Sequence, residues 1–206
     1  MLIDDDNPVM SHVVHEPVAP VSTSRPPEVI ALPGGVSLRR RAVGDAPALN
    51  AAVNSCLEHL RPWMPWAKVE STLGHTEQMV EAGVASWDAG TDFMYLVTLD
   101  AVPGSVIGAF GLHSRAGEGT LEIGYWVHAD HTGRGIATAS ADALTAAALA
   151  LPGIERVEIH CDEANHPSSA VPRKLGYRLD RVIDAPVTAP AETGRKEIWI
   201  AELPTA

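Results

Sequence analysis

From Val36 onward, apolar and polar residues recur with two different periods, and the switches between them lay out the secondary structure. Val36 and Leu38 share one side of Val36-Ser-Leu-Arg-Arg-Arg41, the period of 2 expected of a half-buried strand. Leu49, Val53, Leu57 and Leu60 then repeat at three and four, with Asp45 as N-cap and Pro47 in the first turn, which predicts one helix ending at Pro62. A second helix is predicted over 74–88, where Met79, Gly83 and Trp87 stand four apart before Gly90. Strands follow over 93–99, 106–113 and 120–128. The turns between them, Asp100-Ala-Val-Pro-Gly104 and Ala116-Gly-Glu-Gly119, are short enough to force an antiparallel meander. Beyond lie a helix over 133–151, a strand over 156–161, a short helix over 167–175, and strands over 177–183 and 196–203. The sum is an α+β protein with a mixed, mostly antiparallel sheet of six to seven strands flanked by helices.

Upstream of this pattern neither period is sustained. Pro8, Pro17, Pro20, Pro26, Pro27 and Pro33 break any ladder or helix, so residues 1–30 read as a flexible Pro-rich leader and 31–206 as one domain. The length of 206 residues agrees with that division. Fifteen Lys and Arg against 26 Asp and Glu give a net charge of −11, which argues against a protein that coats nucleic acid or an anionic membrane. Two cysteines, Cys56 and Cys161, form no disulfide framework, and the acidic start Met1-Leu-Ile-Asp-Asp-Asp6 is unlike a signal peptide. The most apolar stretch, 143–151, is too short to span a bilayer. A cytoplasmic monomer or homodimer is the expectation.

The chemistry concentrates in Leu121-Glu-Ile-Gly-Tyr-Trp-Val-His-Ala-Asp-His-Thr-Gly-Arg-Gly-Ile-Ala-Thr138, a strand that passes through a glycine loop into a helix. A helix N-terminus offers unpaired N–H groups and partial positive charge, and glycines let the backbone approach a ligand, so the junction suits an anion such as a pyrophosphate. Arg134 adds a full charge. No Gly-Lys-Ser/Thr follows, which excludes a Walker loop, and Thr138 stands where a dinucleotide fingerprint needs its third glycine. His128 and His131, with His160 and Cys161, do not make a metal site: His131 lies in the anion loop, and the adjacent strand residues His160 and Cys161 point to opposite faces.

The loop resembles the Arg/Gln-x-x-Gly-x-Gly/Ala motif of the GNAT superfamily of N-acetyltransferases, with Gly135 and Ala137 in the small-residue positions. Further on, Asn165-His-Pro-Ser-Ser-Ala-Val-Pro-Arg-Lys-Leu-Gly-Tyr177 is similar to the family segment Asn-x-x-Ser ending in Lys-Leu-Gly-Phe/Tyr. Leu60-Arg-Pro-Trp-Met-Pro-Trp66 and Glu122-Ile-Gly-Tyr-Trp-Val127 resemble the RimJ/RimL branch, which acetylates ribosomal-protein N-termini. The four segments cover most of residues 36–203.

The resemblance implies a GNAT fold splayed between the strands at 120–128 and 156–161, with acetyl-CoA as acyl donor in the cleft and no metal. It implies an N-acetyltransferase acting by direct transfer on a primary amine of a protein N-terminus or small amino compound. It places the cofactor against Thr132, Gly133, Arg134, Gly135, Ile136, Ala137, Thr138 and Asn165, with a bulged strand end at Trp126 and Val127 pairing with the pantetheine arm. Arg61, Trp63, Trp66 and Tyr125 fall to the acceptor side. Direct transfer leaves Cys161 no nucleophilic role. Strand alternation turns Glu122, Gly124 and Trp126 to one face, making Glu122 the expected general base or, on the other reading, a salt-bridged strand residue. Ser168 is expected to face the CoA sulfur, or to serve in helix capping. Two positions depart from the family: Thr132 replaces the usual Arg or Gln, and Pro172 stands where many members carry an acid Tyr. They leave a second reading open, a degenerate CoA-binding or sensing module.

Overall fold

The structure, a computed structural model, describes residues 24–203. Its eight strands are β1 (Val29–Leu32), β2 (Val36–Arg40), β3 (Asp92–Leu99), β4 (Gly108–His113), β5 (Thr120–Val127), β6 (Arg156–Asp162), β7 (Arg178–Asp184) and β8 (Arg195–Glu202). They form one sheet in the order β1-β2-β3-β4-β5-β6-β8-β7. Only β5 and β6 pair in parallel, as expected where a helix links consecutive strands. That pairing has three rungs, Thr120↔Arg156, Leu121↔Val157 and Glu122↔Glu158. By contrast β5 stays in register with β4 as far as Val127, opposite Gly108. From Ile123 onward β5 therefore has a partner on one side only, and the sheet splays open between β5 and β6. The expected bulge at Trp126 and Val127 is not what opens it; the divergence of β6 is.

The helices are α1 (Ala46–Ser55), α2 (Leu57–Leu60), α3 (Leu73–Ala89), α4 (Ile136–Leu149) and α5 (His166–Lys174). One face of the sheet, through Phe110, Leu112, Leu121, Ile123, Val157 and Ile159, packs against Ile136, Leu144 and Ala148 of α4 and Val171 of α5. The other presents Leu96, Ala109 and Trp126 to Leu49 and Val53 of α1, Leu57 and Leu60 of α2 and Val80 of α3. These two faces are called the α4 face and the α1 face.

The single helix predicted up to Pro62 is interrupted. At Cys56 (φ −112°, ψ 9°) the α-helical ladder stops, and the Cys56 Sγ accepts the Ala129 N–H at 3.2 Å while Ser55 Oγ meets His128 Nε2 at 3.1 Å. Tertiary bonds to the end of β5 thus override an apolar stripe that runs on without a break. The next helix follows its sequence closely: Thr72 caps α3 by accepting the His75 N–H, and Gly90 (φ 75°) ends it in the left-handed conformation.

The domain boundary drawn at residue 30 needs correction, because it falls inside β1. Arg25 donates to the carbonyls of Trp87 and Asp88 at 2.9 and 2.8 Å and so closes the C-terminus of α3, and Tyr95 donates its hydroxyl proton to the Pro27 carbonyl at 2.8 Å. All four β1 residues pair with β2, which supplies the eighth strand. A four-residue edge strand is too short to show a period, and Pro26 and Pro27 sit just before it, where extended backbone tolerates them. Residues 1–23 lie outside the described residues.

Candidate active site

The loop that leads from β5 into α4 turns at Gly133 (φ 71°) and Gly135 (φ 78°), and none of the described residues lies within 4 Å of where a side chain on either would begin. The Thr132 N–H still bonds back to Ala129, and the Ala139 N–H is the first to join the α4 ladder, on the Gly135 carbonyl. Among the described residues, the six amides from Gly133 to Thr138 between them have no backbone acceptor. Amides so placed are able to hold an anion, the use expected of this glycine spacing. Thr132 donates its hydroxyl proton to the Ala129 carbonyl at 2.9 Å, so it braces the turn from behind. Arg134 likewise reaches back to the Asp130 carbonyl at 2.7 Å.

Beside the cradle, on the α4 face of the splay, the Tyr125 hydroxyl lies 3.0 Å from Ser168 Oγ and 3.1 Å from the Ser168 carbonyl. The second contact explains how α5 tolerates a proline. Pro172 has no N–H to give to the carbonyl four residues back, which is that of Ser168, and Tyr125 supplies the missing donor from β5. Tyr125 stacks on Phe110 at 4.9 Å, and burial, only partly offset by its bond to Ser168, keeps the phenol protonated. It therefore sits with Ser168 rather than on the acceptor side assigned to it. Asn165 is the N-cap of α5, its Oδ1 accepting the Ser168 N–H at 3.2 Å. That leaves the Ser168 hydroxyl outside the capping role. Cys161 is buried near the same spot, with Sγ 3.8 Å from Glu197 Oε2. Burial and that carboxylate push its thiol up to about 12, so it is a neutral, unreactive group.

The α1 face of the same splay is polar. Asp92, His113, Glu122 and Glu158 stand directly opposite one another on β3, β4, β5 and β6, one row of titratable side chains across four strands. Arg115 grips Glu122 with Nε and Nη2 on the two oxygens at 2.8 and 2.6 Å. His160 bridges the strands beyond, with Nε2 at 2.6 Å from Glu158 and Nδ1 at 3.5 Å from Glu122. Burial alone would raise the Glu122 carboxyl, but the Arg115 fork, helped by His160 and His113, wins and pulls it down to about 2. A carboxylate so held is ionised at neutral pH and a poor proton acceptor. Of the two readings of Glu122, this geometry favours the salt bridge.

Farther along the α1 face, Trp126 is buried in the core with Leu60 and Ala67, so it supports the wall instead of contacting the cleft. The loop after α2 meets the loop between β7 and β8 where the Ala191 N–H bonds the Pro62 carbonyl at 3.0 Å. Trp63 is half-buried in that loop, while Arg61 and Trp66 are exposed. The structure thus gathers the cradle, Tyr125 and Ser168 on one side of the opening and the polar row and the aromatic loop on the other. Sequence reasoning missed Asp92, Arg115, Glu158 and His160 as members of this site, because their meeting depends on strand register across four chain segments.

This sheet, splayed beside a helix N-terminus whose six leading amides have no backbone acceptor among the described residues, defines an acyltransferase-type fold. The chain belongs to the GNAT family of acetyltransferases, whose domain matches residues 36–178. Among solved structures it is similar to RimL, a ribosomal L7/L12 alpha-N-protein acetyltransferase seen with coenzyme A, at 21% identity and a TM-score of 0.77, covering 85% of this chain and 98% of that one. It is similar to the microcin C7 self-immunity acetyltransferase MccE, seen with acetyl-CoA and AMP, at 19% identity and a TM-score of 0.76, covering 86% and 97%. It also resembles Mycobacterium smegmatis RimJ, in complex with a CoA disulfide, at 23% identity and a TM-score of 0.74, covering 86% and 88%. No curated protein sequence matches the chain.

Proposed function

We propose that the protein transfers an acetyl group from acetyl-CoA to the N-terminal amine of a protein. The observation that carries this reading is the splay itself, which has an anion cradle and a hydroxyl pair on one face and a polar, partly exposed row on the other. Such an opening lets two substrates meet through the sheet from opposite sides. The cradle fits a diphosphate: six consecutive amides, two glycines at positive φ with open space before them, and Arg134 nearby. The free edge of β5 beyond Glu122 offers backbone groups to the amide-rich pantetheine arm. The bound acyl donor supplies an activated thioester carbonyl.

The chain's own residues then have separable tasks. Backbone amides of 133–138 hold the diphosphate. Ser168 donates a hydrogen bond toward the departing sulfur, and its hydroxyl stands in for the tyrosine acid that Pro172 displaces. Arg61, Trp63 and Trp66 wall the acceptor side. A protein N-terminus is favoured over a small amine because the RimL neighbour is named for acting on a protein α-amine. Among the described residues no helix is long and apolar enough to cross a membrane, and the cytoplasm, where nascent N-termini and acetyl-CoA meet, is the proposed compartment.

The test is thiol release from acetyl-CoA with a Ser-initiated hexapeptide, the same peptide with a blocked N-terminus, and a panel of small primary amines. Turnover confined to the free peptide is expected. Turnover of small amines alone would replace the acceptor class, and release with none of them would overturn the reading.

A further inference from the structure

We infer that His113 is the general base of this reaction, held by Asp92 and seated on a floor made by two facing glycines. The inference rests on the acetyltransferase reading above and addresses a position that reading leaves open, since Glu122 is committed to Arg115.

Three observations point to it. His113 Nδ1 lies 3.4 Å from Asp92 Oδ1, its opposite number on β3, so the carboxylate fixes the ring and favours the tautomer that leaves Nε2 as acceptor. The ring then lies back over Gly111 and Gly124, which face each other across β4 and β5. A methyl group at Gly111 would stand 2.6 Å from Nε2 and displace the ring, and one at Gly124, at 3.3 Å, would press on it. Gly124 is also the first α1-face position of β5 past its last rung with β6. Nε2 therefore reaches the mouth of the splay, and among the described residues it has no hydrogen-bond partner. His160, the other imidazole at the opening, has both nitrogens against carboxylates and is not free to act.

The charged groups around His113 are Asp92 on β3, Glu122 on β5 and Arg115 in the turn after β4, with His160 on β6 beyond Glu122. Of the two protons that an ammonium nitrogen must lose, the first passes to His113 Nε2 and frees the lone pair. Nitrogen attacks the thioester carbonyl carbon, the C–N bond forms, and the C–S electron pair leaves with sulfur. The second nitrogen proton departs to water. Sulfur takes a proton from Ser168, which solvent replaces, and His113 returns its proton to solvent. The net change is ammonium plus thioester to amide, thiol and one proton.

The experiment compares full-length wild type with His113→Gln and His113→Ala in thiol release from acetyl-CoA, using the Ser-initiated hexapeptide across pH 6 to 9.5. Calorimetry with CoA and thermal melts report on binding and folding. The expected result is a fall in kcat/KM of about 10² to 10⁴ at neutral pH with CoA affinity unchanged, and a deficit that shrinks as pH rises and the amine arrives neutral. Added imidazole should restore part of the activity of His113→Ala. Gly111→Ala should reproduce the defect while His113 is still present, because its methyl displaces the ring. A folded His113→Gln within twofold of an active wild type overturns the assignment and leaves the acetyltransferase reading standing. So does a loss that is equally deep at every pH and not rescued by imidazole, which would mark His113 as a binding residue. A wild type inactive with the peptide and with every amine of the panel overturns both.

Discussion

Replacing Glu122 by Gln keeps the shape of the side chain and removes one charge from the row on the α1 face. In the folded protein burial works to raise that carboxyl, yet the Arg115 fork and the neighbouring histidines hold it at about 2 against an ordinary 4.5. At roughly 1.4 kcal/mol per pH unit, the difference corresponds to about 3 kcal/mol of folding stability. Because the folded value lies below the unfolded one, this contribution is complete above about pH 5 and drains away as pH falls toward 2. Glu122→Gln should therefore lower the melting temperature at pH 7 by up to about 6 to 12 °C, at roughly 2 to 4 °C per kcal/mol for a chain of this size. The gap between the two proteins should close as the pH is lowered from 5 to 2. Scanning calorimetry at a series of pH values reads both quantities. A gap that does not change with pH would refute the pairing argument. So would a variant as stable as wild type at pH 7 but without acyl transfer, since the charge would then be acting on the substrate and not on the sheet.

Three further outcomes are expected. Deleting residues 1–28 should remove the Arg25 bonds to α3 and strand the Tyr95 hydroxyl, at a cost of about 3 kcal/mol or more in urea unfolding. Gly135→Val should abolish CoA binding by calorimetry in a folded protein, because a β-branched residue resists φ 78° and its side chain would enter the open space before the cradle. Tyr125→Phe should cost about 1 to 3 kcal/mol by leaving the Ser168 carbonyl without a donor. The same change in a Pro172→Ala background should cost less than half as much, since the restored N–H can serve that carbonyl; a double-mutant cycle with no coupling would refute the link.

The cradle was legible in the sequence because it is built from one continuous segment, where glycine spacing and the start of a helical period say what the backbone must do. Asn165 was expected against the cofactor, and the structure spends its Oδ1 on capping α5. The other roles that shifted depend on contacts between segments. Tyr125 has the right parity for the α4 face, but only the absence of an N–H at Pro172 explains why its hydroxyl is drawn to α5. Glu122 has the expected parity too, yet its pairing with Arg115 requires the turn after β4 to fold back over β5. Strand lengths give parity within each strand; the row from Asp92 to Glu158 also needs the offsets between strands, which no local pattern contains. β1 was missed because four residues carry no measurable period and their stability comes from Arg25 and β2.

A strand at the centre of a sheet ordinarily has its amides locked on both sides and exchanges them with solvent slowly. β5 is central by position, but from Ile123 to Val127 it is an edge by bonding. This inner edge faces another strand of the same chain, so it does not offer the template for intermolecular pairing that an outer edge does. It divides the sheet into a body of β1 to β5 and a body of β6 to β8, joined along the strands by three rungs alone. In the ligand-free protein the two bodies should open separately in hydrogen exchange, and a ligand lying along the gap should fuse them into one cooperative unit. The supply of that ligand, as much as the sequence, then decides whether this sheet unfolds in two stages or one.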